Sequence, residues 1–362
     1  MKKILFAAYS LDIGGIEISL ITLINELAKN NYDITLVLEK KRGILLEKID
    51  QKIKIIEYCP SNNKIKVFSK LKNLFKRIYF LLNYKDKYDF ACSYATYSLP
   101  CSFVARISSR HNALWVHSDY LQMNNNNIKK YKNFFKTIHV KKFKKIFFVS
   151  EKMKNDFKII FQNKKNSIYV INNLCDYSRI IEMSDYPVYD IKKEKIYTFL
   201  NVSRHTEEDK RISRLIEAAS LLKNEGKRFR VLMVGNGKDS ENYKKMVKDK
   251  NLDKFFIFLG EKSNPYPYFK LADAVVLTSE YEGFPVVYIE SMILNKPILT
   301  TDVSDSKTII KDKYGLVVAK NVKSIKNGLE MFIEGKFEKG ESFNPEIYNK
   351  KIMEKINNII NE

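Results

Sequence analysis

The chain has 362 residues with 64 Lys and Arg against 42 Asp and Glu, which gives a formal net charge of +22. This length suggests two domains, and the content of 45% hydrophobic and 13% aromatic residues excludes a disordered chain. Twelve Gly and eight Pro are too few for a fibrous or low-complexity protein. No apolar run approaches the ~20 residues that a membrane-spanning helix needs.

The charge is unevenly distributed, because residues 1–180 carry +19 and residues 181–362 carry +3. A basic surface attracts nucleic acid, anionic lipid or phosphorylated substrates, so the first half is the half expected to meet such a partner. The four cysteines form no C-x-x-C pair. They are predicted to be reduced thiols of a cytosolic protein.

The first half begins with a strand at 4–9, the Gly14-Gly15 loop, an amphipathic helix at 17–29 and a strand at 34–38. This order is the βαβ pattern of a parallel sheet. Further strands are predicted at 90–94, 113–117 and 145–149.

The polar segment 183–195 separates two periodic regions and predicts a domain boundary, with one domain at 1–185 and another at 186–345. The second region again alternates. Strands are predicted at 197–202, 230–234, 255–259, 274–278 and 297–300, and helices at 212–224, 241–250, 266–271 and 285–294. A last helix at 347–360 could pack on either domain, and residues 346–362 could complete the first.

The segment 274–301 is the most informative part of the sequence. A strand leads into an acidic loop with Glu282, then Gly283, which permits an unusual backbone turn, and Pro285, which suits a first helical turn. A helix that begins at the carboxyl end of a parallel strand favours phosphate, because its first N–H groups are free. Glu282 would lie at the mouth of this site, and Glu290, about 1.5 turns into the helix, could reach a ribose.

Two carboxylates beside a diphosphate are explained by sugar hydroxyls, which donate strong hydrogen bonds to a carboxylate. A nucleotide sugar offers both a diphosphate and vicinal hydroxyls. The alternative is that Glu282 and Glu290 are solvated charges of a loop and a helix.

A second candidate group follows the strand at 197–202. Arg204 and Lys210 could neutralise a diphosphate and stabilise a leaving nucleotide. The alternative is a surface loop of mixed charge, since Glu207, Glu208 and Asp209 lie between the two cations.

With these residues the chain resembles the retaining glycosyltransferases of family four, which have the GT-B architecture of two facing Rossmann-like α/β domains with parallel sheets and a cleft between them. Glu282 and Glu290, with seven residues between them, match the family's glutamate pair, and Arg204 and Lys210 match its diphosphate pair with one extra residue of spacing. Gly14-Gly15 resembles the loop that approaches the donor phosphates. The segment 264–268 resembles a variant common in bacterial surface-polysaccharide enzymes.

The resemblance also implies roles. Glu282 would bind hydroxyls of the donor sugar and Glu290 the ribose, while His117 resembles the histidine near the donor sugar. Glu282, Arg204, Lys210 and His117 are therefore the catalytic candidates. The other residues expected to bind the donor are Gly14, Gly15, Gly235, Lys262, Gly283, Phe284 and Pro285.

No metal and no cofactor are predicted. The sequence contains no D-x-D triplet and no zinc-type spacing of His and Cys. Arg204, Lys210 and a helix dipole would take the place of a metal ion on the diphosphate. The nucleotide sugar would be a co-substrate, with a UDP-sugar favoured.

Two basic stretches distinguish the first half. Residues 64–77 hold six Lys or Arg and no acid, and Phe68, Leu71, Phe75, Ile78 and Leu82 form one helical stripe. We expect this stripe to face the core, with a membrane-surface element as the alternative. Residues 129–145 add eight Lys. Phe134, Phe135 and Phe143 could stack on RNA, although no RNA-binding module accompanies them.

The expected activity is transfer of a sugar from a nucleotide diphosphate donor to a glycan acceptor with retention of configuration. The acceptor is expected to be lipid-linked, in capsular or exopolysaccharide synthesis, with the enzyme in the cytoplasm on the anionic inner face of the cell membrane and no nucleic acid bound. The rival hypothesis is a non-catalytic subunit of the same fold that binds glycan or protein. A third hypothesis, that the chain is a nucleic-acid-binding protein, rests on its positive charge alone.

Overall fold

The structure is a computed structural model that describes residues 1–12, 14–61, 66–162, 166–338 and 340–362. The chain forms two compact units, one of residues 1–174 with 350–362 and one of residues 175–349. Both have the predicted α/β architecture, in which helices connect the strands of a parallel sheet.

The first unit contains a seven-stranded parallel sheet in the order β3-β2-β1-β4-β5-β6-β7. Its strands are β1 (Lys3–Ala8), β2 (Asp33–Leu38), β3 (Lys54–Glu57), β4 (Phe90–Ser93), β5 (Asn112–Val116), β6 (Lys145–Phe148) and β7 (Ser167–Val170). Its helices are α1 (Gly15–Lys29), α2 (Lys66–Tyr84), α3 (Leu99–Ser108), α4 (Tyr120–Met123), α5 (Ile128–Thr137) and α6 (Glu151–Phe161).

The second unit contains a six-stranded parallel sheet in the order β10-β9-β8-β11-β12-β13. Its strands are β8 (Tyr197–Val202), β9 (Phe229–Val234), β10 (Phe256–Gly260), β11 (Ala274–Leu277), β12 (Ile298–Thr301) and β13 (Gly315–Val318). Its helices are α7 (Tyr177–Ser184), α8 (Glu207–Lys210), α9 (Ile212–Asn224), α10 (Ser240–Asp249), α11 (Tyr266–Leu271), α12 (Val286–Ile293), α13 (Ser306–Ile310) and α14 (Val322–Ile333). The last helix, α15 (Pro345–Asn361), leads from this unit into the closing segment of the first.

The central strands are largely apolar because helices cover both faces of a parallel sheet. In β1 the five residues from Ile4 to Ala8 are all buried, and the four residues of β11 are buried as well. Continuous apolar runs of this kind are what the sequence shows at each predicted central strand.

Both sheets have a point at which the strand order reverses. In the first unit it lies between β1 and β4, and in the second between β8 and β11. Open α/β sheets bind ligands outside the carboxyl ends of the strands at such a switch point. The loops after these four strands are therefore where a ligand is expected in each unit.

The division between the units falls at Leu174–Cys175, before the polar segment 183–195 in which the sequence placed it. The reason is that α7 packs against α11 and α12 and so belongs to the second unit. At the other end of the chain, Lys145 Nζ in β6 donates hydrogen bonds to the Ile359 carbonyl at 2.7 Å and to the Glu362 carboxylate at 2.8 Å. These bonds hold the end of α15 on the first unit.

The apolar stripe of α2 does not face the core, so that expectation was wrong. All five of its members are exposed. Lys64 and Ile65, at the start of the predicted basic stretch, lie outside the described residues. Phe80 of the same helix is buried, and it packs on Tyr58 at a ring-centroid distance of 5.0 Å.

The aromatic residues of the second basic stretch are used in packing. Phe135 and Phe143 are buried, and Phe134 stacks on Tyr120 at 4.1 Å. Buried rings cannot stack on bases, and the RNA alternative therefore loses its structural basis. In the part of the chain that the structure describes, no helix combines the length and the apolar character needed to cross a membrane.

Candidate functional site

The loops after β8 and β11 bring Lys210 and Glu282 together. Lys210 Nζ lies 2.5 Å from Glu282 Oε1, and Ser279 Oγ donates a hydrogen bond to the same oxygen at 2.7 Å. The Glu280 backbone N–H donates to the Asp209 carbonyl at 2.7 Å, which ties the acidic loop to α8. Two residues that are 72 positions apart thus form one cation–carboxylate pair at the switch point of the second sheet.

Arg204 lies in the same loop region, on its solvent side. Its side chain is 69% exposed, and Nη2 is 3.2 Å from the Asp209 carboxylate. An exposed guanidinium with one partner keeps donors free for a phosphate. The two predicted cations therefore differ, because Lys210 is held by Glu282 whereas Arg204 is open to solvent.

The other carboxylate of the acidic loop, Glu280, has a different environment. It forms ion pairs with Arg211 and Lys320 at 3.8 and 3.4 Å and also pairs with Arg214. Burial raises the pKa of Glu280, but Arg214 and Lys320 lower it by more, so that it stays ionised. Sequence reasoning missed this cluster. Its consequence is that three cations hold Glu280, whereas Glu282 pairs with Lys210.

Glu290 on α12 is not a solvated helix charge. It is 8% exposed, and the Tyr266 hydroxyl donates a hydrogen bond to Oε1 at 3.1 Å. Burial raises the pKa of Glu290 to about 7, although the bond from Tyr266 lowers it. A buried carboxyl at this position retains acceptor capacity for the hydroxyls of a ligand.

The turn before α12 does not use the unusual backbone conformation that was expected at Gly283. Gly283 does not have a positive φ, and its carbonyl accepts a hydrogen bond from Ser304 Oγ at 2.7 Å. Pro285 is the N-cap of α12 and Phe284 is buried. The first backbone N–H groups of α12 have no partner within the helix, which is the feature that favours an anion.

Gly235, after β9, has a positive φ. Its φ is +137°, and a Cβ there would lie 1.9 Å from the Ser203 carbonyl oxygen. A Cβ on Gly237 would lie 2.3 Å from the His205 carbonyl oxygen. These two glycines let the loop after β9 pack directly on the loop that carries Arg204.

His205, next to Arg204 in the chain, is a buried polar residue that sequence reasoning did not single out. Its Nδ1 is 3.0 Å from Ser240 Oγ. Burial lowers the pKa of His205, so the ring is neutral at neutral pH. The sequence feature that could have pointed to His205 is its position directly after Arg204.

Lys262, predicted to bind the donor, is engaged within the second unit. Its Nζ is 2.6 Å from the Asp190 carboxylate, and the Tyr268 hydroxyl donates to the same carboxylate at 2.8 Å. The hydrogen bond with Asp190 raises the pKa of Lys262. A ligand would have to compete with Asp190 for this lysine.

In the first unit, Gly14 and Gly15 follow β1, and His117 follows β5. Gly14 is the extended N-cap of α1, and a Cβ there would lie 2.3 Å from Glu17 Oε2. A larger residue at Gly14 would therefore displace the Glu17 carboxylate.

His117 is 7% exposed and lies between Tyr94 and Trp115, with ring-centroid distances of 4.2 and 5.7 Å. No residue of the described chain bonds either ring nitrogen. Burial lowers the pKa of His117 to about 3. A neutral imidazole with two unsatisfied nitrogens can accept one hydrogen bond and donate another to a ligand hydroxyl.

Among the described residues, no group of three or more His, Cys, Asp or Glu is arranged to hold a metal ion. The predicted site residues thus fall into two sets, one in each unit. Arg204, Lys210, Glu282 and Glu290 belong to the second unit, and Gly14, Gly15 and His117 to the first.

Curated proteins with similar sequences are glycosyltransferases. The chain is 27% identical over 162 residues to the poly(ribitol-phosphate) alpha-N-acetylglucosaminyltransferase of Staphylococcus aureus, which covers 39% of this chain and 33% of the relative. It is 29% identical over 123 residues to the N-acetylgalactosamine-N,N'-diacetylbacillosaminyl-diphospho-undecaprenol 4-alpha-N-acetylgalactosaminyltransferase of Campylobacter jejuni, which covers 33% of each. The chain spans about a third of the length of these relatives.

The fold has solved counterparts over the full length. Anabaena HepE in complex with UDP superposes with a TM-score of 0.76 at 16% identity, over 98% of this chain and 100% of that one. At this identity the likeness shows the fold, which is GT-B as predicted.

Two family models match the chain, one on each side of the division between the units. The model described as Glycosyltransferase Family 4 matches residues 13–179, and the model described as Glycosyl transferases group 1 matches residues 188–350. Residues 13–179 thus resemble family 4 glycosyltransferase domains and residues 188–350 resemble group 1 glycosyltransferase domains, in a chain that has the GT-B fold.

Proposed function

We propose that this protein transfers a sugar from a nucleotide diphosphate sugar, with a UDP-sugar favoured, to a glycan acceptor in the synthesis of a cell-surface polysaccharide. The observation that carries the proposal is the contact of Lys210 with Glu282 beside the exposed Arg204, at the carboxyl ends of β8 and β11. Cations, a carboxylate and free helix N–H groups at one switch point suit a diphosphate joined to a sugar.

Each residue has a distinct role in this proposal. The donor diphosphate binds Arg204 and draws Lys210 away from Glu282, whose carboxylate is then free to accept hydrogen bonds from sugar hydroxyls. Glu290 accepts hydrogen bonds from the ribose. In the first unit, the neutral His117 keeps hydrogen-bonding capacity for a ligand hydroxyl.

We further propose that the reaction retains the anomeric configuration. The bond between the sugar C1 and the diphosphate oxygen breaks while a bond from C1 to the acceptor oxygen forms on the same face. The acceptor proton passes to the leaving diphosphate. Arg204 and Lys210 stabilise the negative charge that develops on the leaving group, so that no carboxylate nucleophile is needed.

The proposed acceptor is lipid-linked, and the protein is proposed to act at the surface of an anionic membrane. Two observations support this. The name of the Campylobacter jejuni relative includes a diphospho-undecaprenol group, and residues 1–180 carry +19. An anionic leaflet attracts basic segments by roughly 1 kcal/mol per Lys or Arg.

A thermal-shift screen over nucleotide diphosphates and nucleotide sugars tests the donor assignment. A donor present at 100 times its Kd is expected to stabilise the protein by about 2.7 kcal/mol. The Glu282→Ala variant serves as the control, because it should retain the shift with UDP and lose the extra shift that the sugar provides. Absence of any shift with every nucleotide sugar would contradict the proposal and favour a non-catalytic binding subunit. Binding to RNA in moderate salt in place of nucleotide would favour the nucleic-acid alternative.

Turnover is expected to be independent of a divalent metal. The positive charge on the diphosphate would come from Arg204, Lys210 and the N-terminus of α12, so a chelator should leave the initial rate intact. The measurement is sugar transfer or donor hydrolysis with and without chelator. Loss of activity with chelator that Mg²⁺ or Mn²⁺ restores would show that the assignment of the two cations is wrong.

A further inference from the structure

Helix α2 exposes its apolar face, which in most surface helices faces the core. A surface helix normally turns its apolar stripe to the core, but the large apolar residues of α2 are exposed. They are Phe68, Leu71, Leu74, Phe75, Ile78, Tyr79 and Leu82. An apolar patch of this extent on a protein surface marks an interaction site.

The opposite face attaches α2 to the first unit. Asn73 exchanges hydrogen bonds with the backbone of Ser61 at 2.6 and 3.1 Å, and Phe80 is buried against Tyr58 and Phe103. At 3.6 residues per turn, positions 73 and 80 project away from positions 71, 75, 78 and 82. The helix is therefore anchored by a polar and aromatic face and directs its apolar face outward.

The charges on α2 indicate what covers the apolar face. Residues 66–84 contain no Asp or Glu, and Lys70 and Lys72 are exposed. Lys76 is exposed as well, with its Nζ donating to the Cys59 carbonyl at 2.7 Å, and the Arg77 guanidinium lies 4.7 Å from the Phe103 ring. An apolar face flanked by cations matches the boundary between anionic headgroups and acyl chains. A second copy of the chain is a poor match, because pairing the two faces would bring like charges together.

We propose that α2 is a membrane-docking helix that lies in the plane of an anionic bilayer with its Phe68–Leu82 face inserted below the headgroups. Its 19 residues span about 28 Å, and its cations exclude a spanning orientation. This inference rests on the membrane contact proposed above and deepens it. Electrostatic attraction alone needs the lysines, whereas insertion also needs the leucine, isoleucine and phenylalanine side chains.

The test is binding of the purified full chain to vesicles of phosphatidylcholine with and without phosphatidylglycerol, measured by cosedimentation in the absence of nucleotide and acceptor. Leu82→Ser is expected to lower the partition coefficient about tenfold or more, as loss of a buried leucine side chain requires. Ile159→Ser on α6 is the matched control, because Ile159 and Leu82 are 74% and 75% exposed in the same unit, and it should leave binding unchanged.

A reporter separates insertion from surface attraction. The chain has one tryptophan, Trp115, which is buried, so its emission is a constant background. The emission of Leu82→Trp is expected to shift to shorter wavelength with anionic vesicles, while that of Ile159→Trp should not shift. Insertion also predicts that salt added after binding releases the protein only in part.

Three results would overturn the inference. Vesicle binding that depends on Lys70 and Lys72 but not on Leu82 would leave an electrostatic contact without insertion. Absence of any binding to anionic vesicles at low salt would remove the membrane contact itself, while sugar transfer to a water-soluble acceptor could still be measured. A concentration-dependent dimer that Leu82→Ser abolishes would show that a second copy covers the face.

Discussion

Replacement of Lys210 by Ala is expected to lower kcat by about 10²–10³-fold, the loss typical of a group that stabilises transition-state charge. Lys210 Nζ lies 2.5 Å from Glu282 and is the cation best placed to follow the charge that develops on the leaving diphosphate. Arg204→Ala should also lower kcat. Because the Arg204 side chain is 69% exposed, its contribution is expected to be the smaller of the two.

The matched control is Lys254→Ala, which removes an exposed lysine of the same unit. Steady-state kinetics with a saturating donor should show no change in kcat for this variant. If Lys210→Ala and Lys254→Ala have equal kcat, the diphosphate is not held by the pair at the end of β8. The assignment of the leaving-group site would then be wrong.

Substitutions of the two glutamates are expected to have different effects, one mainly on nucleotide affinity and the other mainly on turnover. Glu290→Ala should weaken UDP binding by about 1.5–3 kcal/mol, because it removes a charged acceptor. Glu282→Ala should lower kcat for the nucleotide sugar while changing the Kd for UDP little, since Glu282 is assigned to the sugar. Calorimetric titration with UDP and steady-state kinetics give the two numbers, and small, equal effects of both changes on every substrate would contradict the assignment.

The environment of Glu290 adds a pH dependence to this prediction. Burial raises its pKa to about 7, so the carboxyl is largely protonated below that pH and ionised above it. The ionised form is the stronger acceptor for ribose hydroxyls, and UDP affinity is therefore expected to increase as the pH rises through 7. Glu290→Gln, which keeps the shape and cannot ionise, should lack this dependence.

The same shift affects stability in the opposite direction. Between the ordinary pKa of 4.5 and about 7, folded Glu290 keeps a proton that the unfolded chain has released. The free energy of unfolding of the unliganded protein should therefore fall as the pH rises through this range. Glu290→Gln removes this contribution, which denaturant titration at several pH values can detect.

The three strands that the sequence missed lie at sheet edges, whereas every inner strand and the edge strand β10 were predicted. β3 and β7 flank the first sheet and β13 ends the second. Inner strands of a parallel sheet are buried on both faces and read as continuous apolar runs. Edge strands are half-exposed, and KIIE in β3 or SIYV in β7 carries too few apolar residues to give that signal. The inner strands still sufficed to establish two α/β units.

The candidate site could be predicted to the level of residue types and strand ends. Arg204 and Lys210 follow the predicted strand β8 and Glu282 follows the predicted strand β11, but only the sheet order shows that these two strands adjoin. The partners could not be predicted, because they come from distant parts of the chain. Tyr266 reaches Glu290, Asp190 reaches Lys262, and three cations converge on Glu280.

Only the tertiary structure decided which face of α2 is exposed. The periodicity shows that one face of the helix carries Phe68, Leu71, Phe75, Ile78 and Leu82. It does not show whether this face or the opposite one packs against the rest of the first unit. The anchors that decide this are Asn73 and Phe80, which bind Ser61, Tyr58 and Phe103 from other segments of the chain. The sequence by itself determined the α/β class, the strand ends that carry the site and the basic character of the first unit. Which carboxylate is neutralised, which is buried and which apolar face remains exposed depends on contacts between residues far apart in the chain, and no local pattern encodes those.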